Sequence, residues 1–156
     1  MMFRTHLALG FLVGLLSLKI LDTNHPVLFV FLVTLFSSLP DIDHPKSKIG
    51  RKLFFISWPI SLVFKHRGFF HSIFPPLILF FVFNSLNISF LAFSIALGYI
   101  SHLIGDSLTK EGINFLHPIS TFKIKGIIST GKLLETMIFL LIIVLDIILL
   151  FGITYN

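Results

Sequence analysis

Six apolar runs, separated by short polar breaks, dominate the pattern of the chain: residues 5–21, 26–39, 53–64, 73–86, 88–105 and 133–154. Proline or asparagine, which end helices, marks the breaks DTNHP (22–26), LPDIDHP (39–45) and NSLN (84–87). A helix needs about 20 apolar residues to cross about 30 Å of hydrocarbon, so the shorter runs must extend into their polar flanks. The run LFFISWPISLVF is interrupted by Pro59, which favours a re-entrant or interfacial helix.

This pattern predicts an all-α, polytopic helical membrane protein with about five transmembrane helices and one short re-entrant or interfacial helix. The composition agrees, because 55% of the residues are hydrophobic and only 12% are charged, whereas soluble domains have about 25% charged residues. The first run lacks a small-residue cleavage site, so we interpret it as a retained span and not as a signal peptide. A length of 156 residues predicts a single membrane-embedded domain over residues 1–156.

The basic residues predict the orientation of these spans. Eleven of the twelve Lys and Arg residues fall on one side of the membrane if the short interrupted helix returns to the side it left. The exception, Lys19, could extend its side chain from a helix end to the far interface. By the positive-inside rule the basic side is the cytoplasm, so we expect an integral cytoplasmic (inner) membrane protein with its N-terminus inside. The same bias accounts for the net charge of +5 without nucleic acid as a partner.

Histidine and aspartate residues gather on the same predicted face. The chain has no cysteine, so any metal ion must be held by imidazole and carboxylate groups, which suit zinc and similar divalent ions. Ionisable residues at membrane depth are costly and usually mark a site. The residues that this topology brings to the cytoplasmic face are His6, Asp41, Asp43, His44, His66, His71, His102 and Asp106.

For two pairs of these residues, the spacing along the chain supports metal binding only in part. His102 and Asp106 are four residues apart, so a helix points both to one face. The alternative is that His102 is an ordinary buried, hydrogen-bonded histidine that binds no metal. His66 and His71 are about 140° apart round a regular helix, so both could bind one ion only in an irregular backbone, which Gly68 permits. An interfacial loop is the alternative.

The stretch LPDIDHP is predicted to be extended between Pro40 and Pro45. In that conformation Asp41 and Asp43 share a side and His44 points away. A solvated, helix-capping turn is the alternative. The whole set exceeds the four ligands of one tetrahedral zinc, which favours a two-metal site of the kind that hydrolyses phosphate esters.

Two basic residues flank this candidate site. Lys65 and Arg67 would meet an anionic group, and the planar guanidinium of Arg67 suits a two-point contact with phosphate. Anchoring to lipid headgroups is the alternative for both residues.

Four motifs carry a resemblance to a known family: RTHLALG (4–10), LPDIDHP (39–45), HRGFFHS (66–72) and SHLIGDSLTKEGINFLHP (101–118). With them the chain resembles the YdjM-type family of membrane-bound metal-dependent hydrolases, which is distantly similar in its metal ligands to zinc-dependent phospholipases C and single-strand-specific nucleases. The resemblance implies a helical membrane hydrolase and leaves the substrate open. The metal ligands that it implies are His6, Asp41, Asp43, His66, His71, His102 and Asp106.

We therefore expect a divalent-metal cofactor, two Zn²⁺ ions with Mn²⁺ as the alternative, and hydrolysis of a phosphoester in a membrane lipid or lipid-linked substrate by a metal-activated water. The candidate catalytic residues are Asp43, Glu111 and Arg67. Glu111 could also be an added metal ligand or an exposed loop carboxylate. A metal-ion transporter and a non-catalytic membrane protein whose metal staples helix ends together are the alternative functions.

Overall fold

The structure is a computed structural model that describes residues 1–64 and 66–154. Lys65, predicted to meet an anionic group, lies outside the described residues. Within these ranges the fold is all-helical, as predicted, with two isolated bridges in place of strands. Its helices are α1 (Phe3–Ser17), α2 (Pro26–Phe36), α3 (Lys48–Lys52), α4 (Phe54–Val63), α5 (Phe74–Ser85), α6 (Ser89–Ser107) and α7 (Leu133–Thr154), with short 3₁₀ helices at Leu39–Asp43 and Phe69–His71.

Three segments are long and apolar enough to cross a membrane: Pro26–Asp43, Ser89–Ser107 and Leu133–Gly152. Helices α1, α4 and α5 are apolar but shorter, with 15, 10 and 12 residues. Because a full crossing needs about 20 residues, the total of five spans stays a prediction. The polytopic, all-α membrane fold itself is confirmed.

The centre of the fold is formed by α1, α2 and α6, which pack against one another. Helices α1 and α2 form one hairpin, α5 and α6 form another, and α7 packs along α1. Helix α4 contacts mainly α3 and the 3₁₀ helix Leu39–Asp43, and it leaves Phe55 92% and Val63 76% exposed. Such an apolar helix with largely exposed side chains fits the interfacial or re-entrant helix that Pro59 predicts.

Two glycines let α1 and α6 approach Ser37, the residue that follows α2. A Cβ atom on Gly10 would lie 2.6 Å from Cβ of Ser37, and one on Gly98 would lie 2.4 Å from the carbonyl oxygen of Val33 and 2.9 Å from N of Ser37. Small residues allow this close approach of helices in membrane proteins. Ser37 is completely buried as a result.

The extended conformation predicted for LPDIDHP is wrong. Residues Leu39–Asp43 form a 3₁₀ helix with Pro40 in its first turn, where the fixed φ angle and missing N–H of proline fit a helix start. Only His44, the residue before Pro45, is extended (φ −124°, ψ 104°), as expected before proline. Asp41 and Asp43 therefore do not line one side of a strand.

Replacing Gly98 tests the close contact of α6 with α2. In Gly98→Ala the added methyl group would overlap the Val33 carbonyl, so we expect the free energy of unfolding to fall by roughly 1–3 kcal/mol and Tm in detergent to fall with it. Gly152→Ala is the matched control, because nothing lies within 4 Å of its Cβ position. Equal Tm values for the two variants would contradict this packing.

Candidate metal centre

Four parts of the chain meet at one end of the helices. They are the start of α1, the 3₁₀ helix Leu39–Asp43, the loop of residues 66–71 and the end of α6. Most of the side chains that they contribute are buried, whereas those of Asp41 and His66 are 20% and 37% exposed. The histidine–aspartate cluster formed in this way contains His6, Asp41, Asp43, His66, His71, His102 and Asp106, which are the seven predicted ligands.

Two imidazole nitrogens and two carboxylates converge at the centre of the cluster. Nε2 of His71 and Nε2 of His102 are 3.3 Å apart. Each lies 3.7–3.8 Å from one oxygen of Asp41 and from Oδ2 of Asp106. These nitrogen–oxygen distances are too long for hydrogen bonds. They are close to the ~3.3–3.6 Å that separates two ligand atoms when each binds the same tetrahedral zinc at a distance of about 2.0–2.2 Å.

The other ring nitrogen of each central histidine has a fixed partner. Nδ1 of His102 donates to the carbonyl oxygen of Ser37 at 2.8 Å, and Nδ1 of His71 lies 3.1 Å from Oδ2 of Asp43. Partners of this kind orient metal-binding histidines and direct the opposite nitrogen towards the ion. Asp41 and Asp43 thus face opposite nitrogens of the His71 ring, which the 3₁₀ helix makes possible.

Asp43 holds two histidines at once. Its Oδ1 lies 2.8 Å from Nδ1 of His66, while its Oδ2 faces His71. The three residues form one of three groups whose nitrogen and oxygen atoms lie within 4.8 Å of one another. The other two groups are Asp41, His71 and His102, and His6, His102 and Asp106.

His6 is also arranged like a ligand. Its ring stacks on that of His102, with centroids 3.8 Å apart and planes at 11°, and its Nε2 is 3.2 Å from Oδ1 of Asp106. Its Nδ1 is buried with no hydrogen-bond partner among the described residues, which is costly. With nitrogen and oxygen donors that suit zinc or manganese, the buried groups could hold a metal ion.

Arg67 lies beside the cluster in the left-handed region of the backbone, with φ 60°. Its Nη2 is 3.1 Å from Oδ2 of Asp106 and 3.1 Å from Oε2 of Glu111, and its Nη1 donates to the carbonyl of Gly112 at 3.0 Å. Glu111 is 63% exposed and belongs to none of the three groups. Two of the candidate catalytic residues, Arg67 and Glu111, thus form an ion pair with each other.

Three residues that are not among the seven predicted ligands also shape the site, and of these only His44 was predicted to lie on this face. The carbonyl of Ser37 orients His102, a role that no side-chain pattern reveals because every residue has a carbonyl. The hydroxyl of Tyr99 donates to the carbonyl of Phe70 at 2.6 Å and so holds the loop that contains His71. Tyr99 lies about one helical turn before His102, so the sequence could have indicated that Tyr99 is close to the site. His44 stacks on His66 at 4.5 Å, and burial together with His66 lowers the pKa of His44.

The fold and the cluster together define a class: helical integral membrane proteins with a buried histidine–aspartate centre that could bind metal. Within this class, the chain belongs to the YdjM inner membrane protein family, whose model matches residues 1–155. The predicted family resemblance is confirmed by this match. The apolar helices and the family also support the predicted membrane localisation, whereas the orientation of the N-terminus and of the site stays a prediction.

Two relatives illustrate the family. The inner membrane protein YdjM of Escherichia coli (strain K12) is 40% identical over 92 residues, which cover 51% of this chain and 44% of the relative. The uncharacterized protein YvsG of Bacillus subtilis (strain 168) is 40% identical over 104 residues, which cover 64% of this chain and 62% of the relative. The chain thus spans less than two thirds of either relative. No solved structure matches it.

The carboxylates around His71 predict a pH dependence for the metal-free protein. Burial alone would lower the pKa of His71, but Asp41 and Asp43 outweigh it and raise the pKa from 6.5 to about 9. A raised histidine pKa stabilises the fold fully below the unfolded value of 6.5, and this contribution is lost as the pH rises through about 9. We expect Tm, measured with a chelator present, to fall across this range.

Two variants provide the comparison. His71→Gln should flatten this dependence, because the titrating group is gone. His25→Gln should keep it, since His25 lies in the loop at the far end of α1 and α2. Parallel Tm profiles for wild type and His71→Gln would contradict the assignment.

Proposed function

We propose that this protein is a metal-dependent hydrolase that cleaves a phosphoester in a lipid or lipid-linked substrate at the cytoplasmic face of the membrane. The observation that carries the proposal is the convergence of Nε2 of His71 and His102 with oxygens of Asp41 and Asp106, at separations of 3.3–3.8 Å. Imidazole nitrogens and carboxylate oxygens in this arrangement suit zinc. A basic side chain next to them suits an anionic substrate.

The proposed ligands are the seven members of the histidine–aspartate cluster, and the proposed cofactor is two Zn²⁺ ions, with Mn²⁺ as the alternative. When bound, such ions lower the pKa of a water molecule and neutralise charge on a phosphoryl group. The protein residues supply orientation. Asp43 and the Ser37 carbonyl set the tautomers of His71 and His102. The surrounding structure keeps bulk water from five of the ligands, His6, Asp43, His71, His102 and Asp106.

Arg67 is the proposed contact for the substrate phosphate. Its side chain is 16% exposed, and its Nε is buried without a partner among the described residues, so the guanidinium keeps one unused N–H donor. Glu111 shares Nη2 with Asp106 and is exposed. We assign Glu111 the role of holding Arg67 in place until an anionic group takes up the guanidinium.

The apolar helix α4 supports a lipid substrate. It ends next to the loop that carries His66 and His71, and it contacts the 3₁₀ helix that carries Asp41 and Asp43. Its apolar side chains are largely exposed, as expected for a helix that lies among lipids. A lipid could therefore reach the partly exposed Asp41 and His66 sideways from the bilayer. The distribution of Lys and Arg supports the cytoplasmic orientation.

The burial of the cluster favours a second candidate function. Five of the seven ligands, His6, Asp43, His71, His102 and Asp106, are at most 1% exposed. A closed site fully coordinated by protein is typical of structural metal sites, whereas catalysis requires a position open to water. A non-catalytic protein whose metal staples α1, α6 and the two loops together would have this burial.

Hydrolysis assays distinguish the two functions. Purified, zinc-loaded protein in mixed micelles should hydrolyse members of a panel of phospholipids and lipid-linked phosphates. His102→Ala should lower turnover by about 100-fold or more, since it removes a ligand from the centre, whereas His25→Ala at the opposite end should not. Arg67→Lys should raise KM more than it lowers kcat, because it weakens the two-point contact.

Two results would count against hydrolysis. Unchanged turnover in His102→Ala would mean that the observed activity does not come from this cluster. Zinc-binding protein with no turnover on any member of the panel would favour the stapled, non-catalytic function.

A further inference from the structure

A second concave site lies between α1, α2 and α3 and shares no residue with the histidine–aspartate cluster. Its cavity measures about 480 Å³, within the ~300–1,000 Å³ typical of ligand sites. Apolar side chains form most of its wall: Phe3 and Leu7 of α1, Phe31 and Leu35 of α2, and Ile49 of α3. Phe31 and Leu35 are 59% and 46% exposed, so the described residues leave this groove uncovered.

The two hydroxyl groups in the wall do not make it polar. Oγ1 of Thr34 donates to the carbonyl of Val30 at 2.7 Å, and Oγ of Ser38 donates to the carbonyl of Leu35 at 2.8 Å. Their donor hydrogens are thereby used within α2 and the turn that follows it. A ligand in the groove would therefore contact mainly hydrocarbon, which favours an apolar chain.

One end of the groove carries positive charge. Lys48 and Lys52 both line it, and their spacing of four residues on α3 places them on one helix face. Nζ of Lys48 lies 5.2 Å from the centroid of the Phe3 ring, at the edge of the apolar wall. Among the described residues, neither lysine has a carboxylate within 4.0 Å. Two like charges one turn apart repel each other, and an anion would relieve this repulsion.

We propose that the groove binds one anionic phospholipid, with an acyl chain along Leu7, Phe31 and Leu35 and the headgroup phosphate at Lys48 and Lys52. Its wall consists of outward faces of α1 and α2 in an inner membrane protein, where lipid is the surrounding solvent. Lysines next to a membrane-spanning helix attract anionic lipids, and the apolar groove adds a place for the chain. This site does not depend on the proposed hydrolase activity.

Native mass spectrometry of delipidated protein in detergent tests the proposal, with phosphatidylglycerol as the probe and phosphatidylcholine as the neutral comparison. We expect one bound phosphatidylglycerol per chain and weaker binding of phosphatidylcholine. The double variant Lys48→Gln with Lys52→Gln should weaken phosphatidylglycerol binding on the order of tenfold or more. The matched control, Lys46→Gln with Lys123→Gln, removes the same charge from exposed positions outside the groove and should bind as the wild type does.

Three results would overturn the proposal: equal binding of the two lipids, equal loss in the control variant, or displacement of the lipid by glycerol phosphate. The last result would identify a site for free phosphate esters and not for a lipid. Zinc content should be unchanged in Lys48→Gln with Lys52→Gln, so failure of this site and failure of the metal centre would be told apart.

Discussion

The contact of Ser37 with its two neighbouring helices determines whether the cluster can form. The hydroxyl of Ser37 lies 2.9 Å from the carbonyl oxygen of His6 and 2.7 Å from that of Thr34, so α1 and α2 share its one donor. The carbonyl of Ser37 accepts from Nδ1 of His102 at 2.8 Å. The contacts with His6 and His102 require α1 and α6 to approach closely, which Gly10 and Gly98 allow. Helix packing and ligand orientation therefore depend on the same few atoms, and a shift of α6 against α2 would move His102 away from His71.

The second constraint is the cost of burying so many ionisable groups. A buried, unpaired carboxylate or imidazolium is strongly unfavourable. Here each group faces an opposite charge or a hydrogen-bond partner: Asp43 faces two histidines, and Asp106 faces His6 and Arg67. A cluster held together in this way keeps its donor atoms close before any ion enters. This preorganisation is what a metal site requires.

The apolar pattern predicted the helices well, because runs of hydrophobic residues and the proline and asparagine breaks between them specify where membrane helices begin and end. It also predicted that residues distant in sequence would meet at one end, since helices of a membrane bundle are joined at two faces only. The i, i+4 spacing of His102 and Asp106 became a real proximity of 3.8 Å. The family resemblance is confirmed by the match over residues 1–155.

Other features could not be read from the sequence. The 3₁₀ helix at Leu39–Asp43 was missed because proline favours both extended segments and first helical turns, and only the tertiary contacts decide between them. Ser37 orients His102 through its backbone carbonyl. Because every residue has such a carbonyl, the sequence does not reveal this role. The pairing of Arg67 with Glu111 depends on a left-handed residue and on a loop of residues 108–128 with little regular structure.

The most direct measurement is the metal content per chain of detergent-purified protein, determined by elemental analysis after reloading with zinc. Wild type and His25→Ala should each hold about two ions, and His71→Ala with Asp106→Ala should lose them, because these residues lie in the groups that share the central donors. Metal-free wild-type protein after reloading, or equal metal in the double variant, would contradict a metal centre at this cluster.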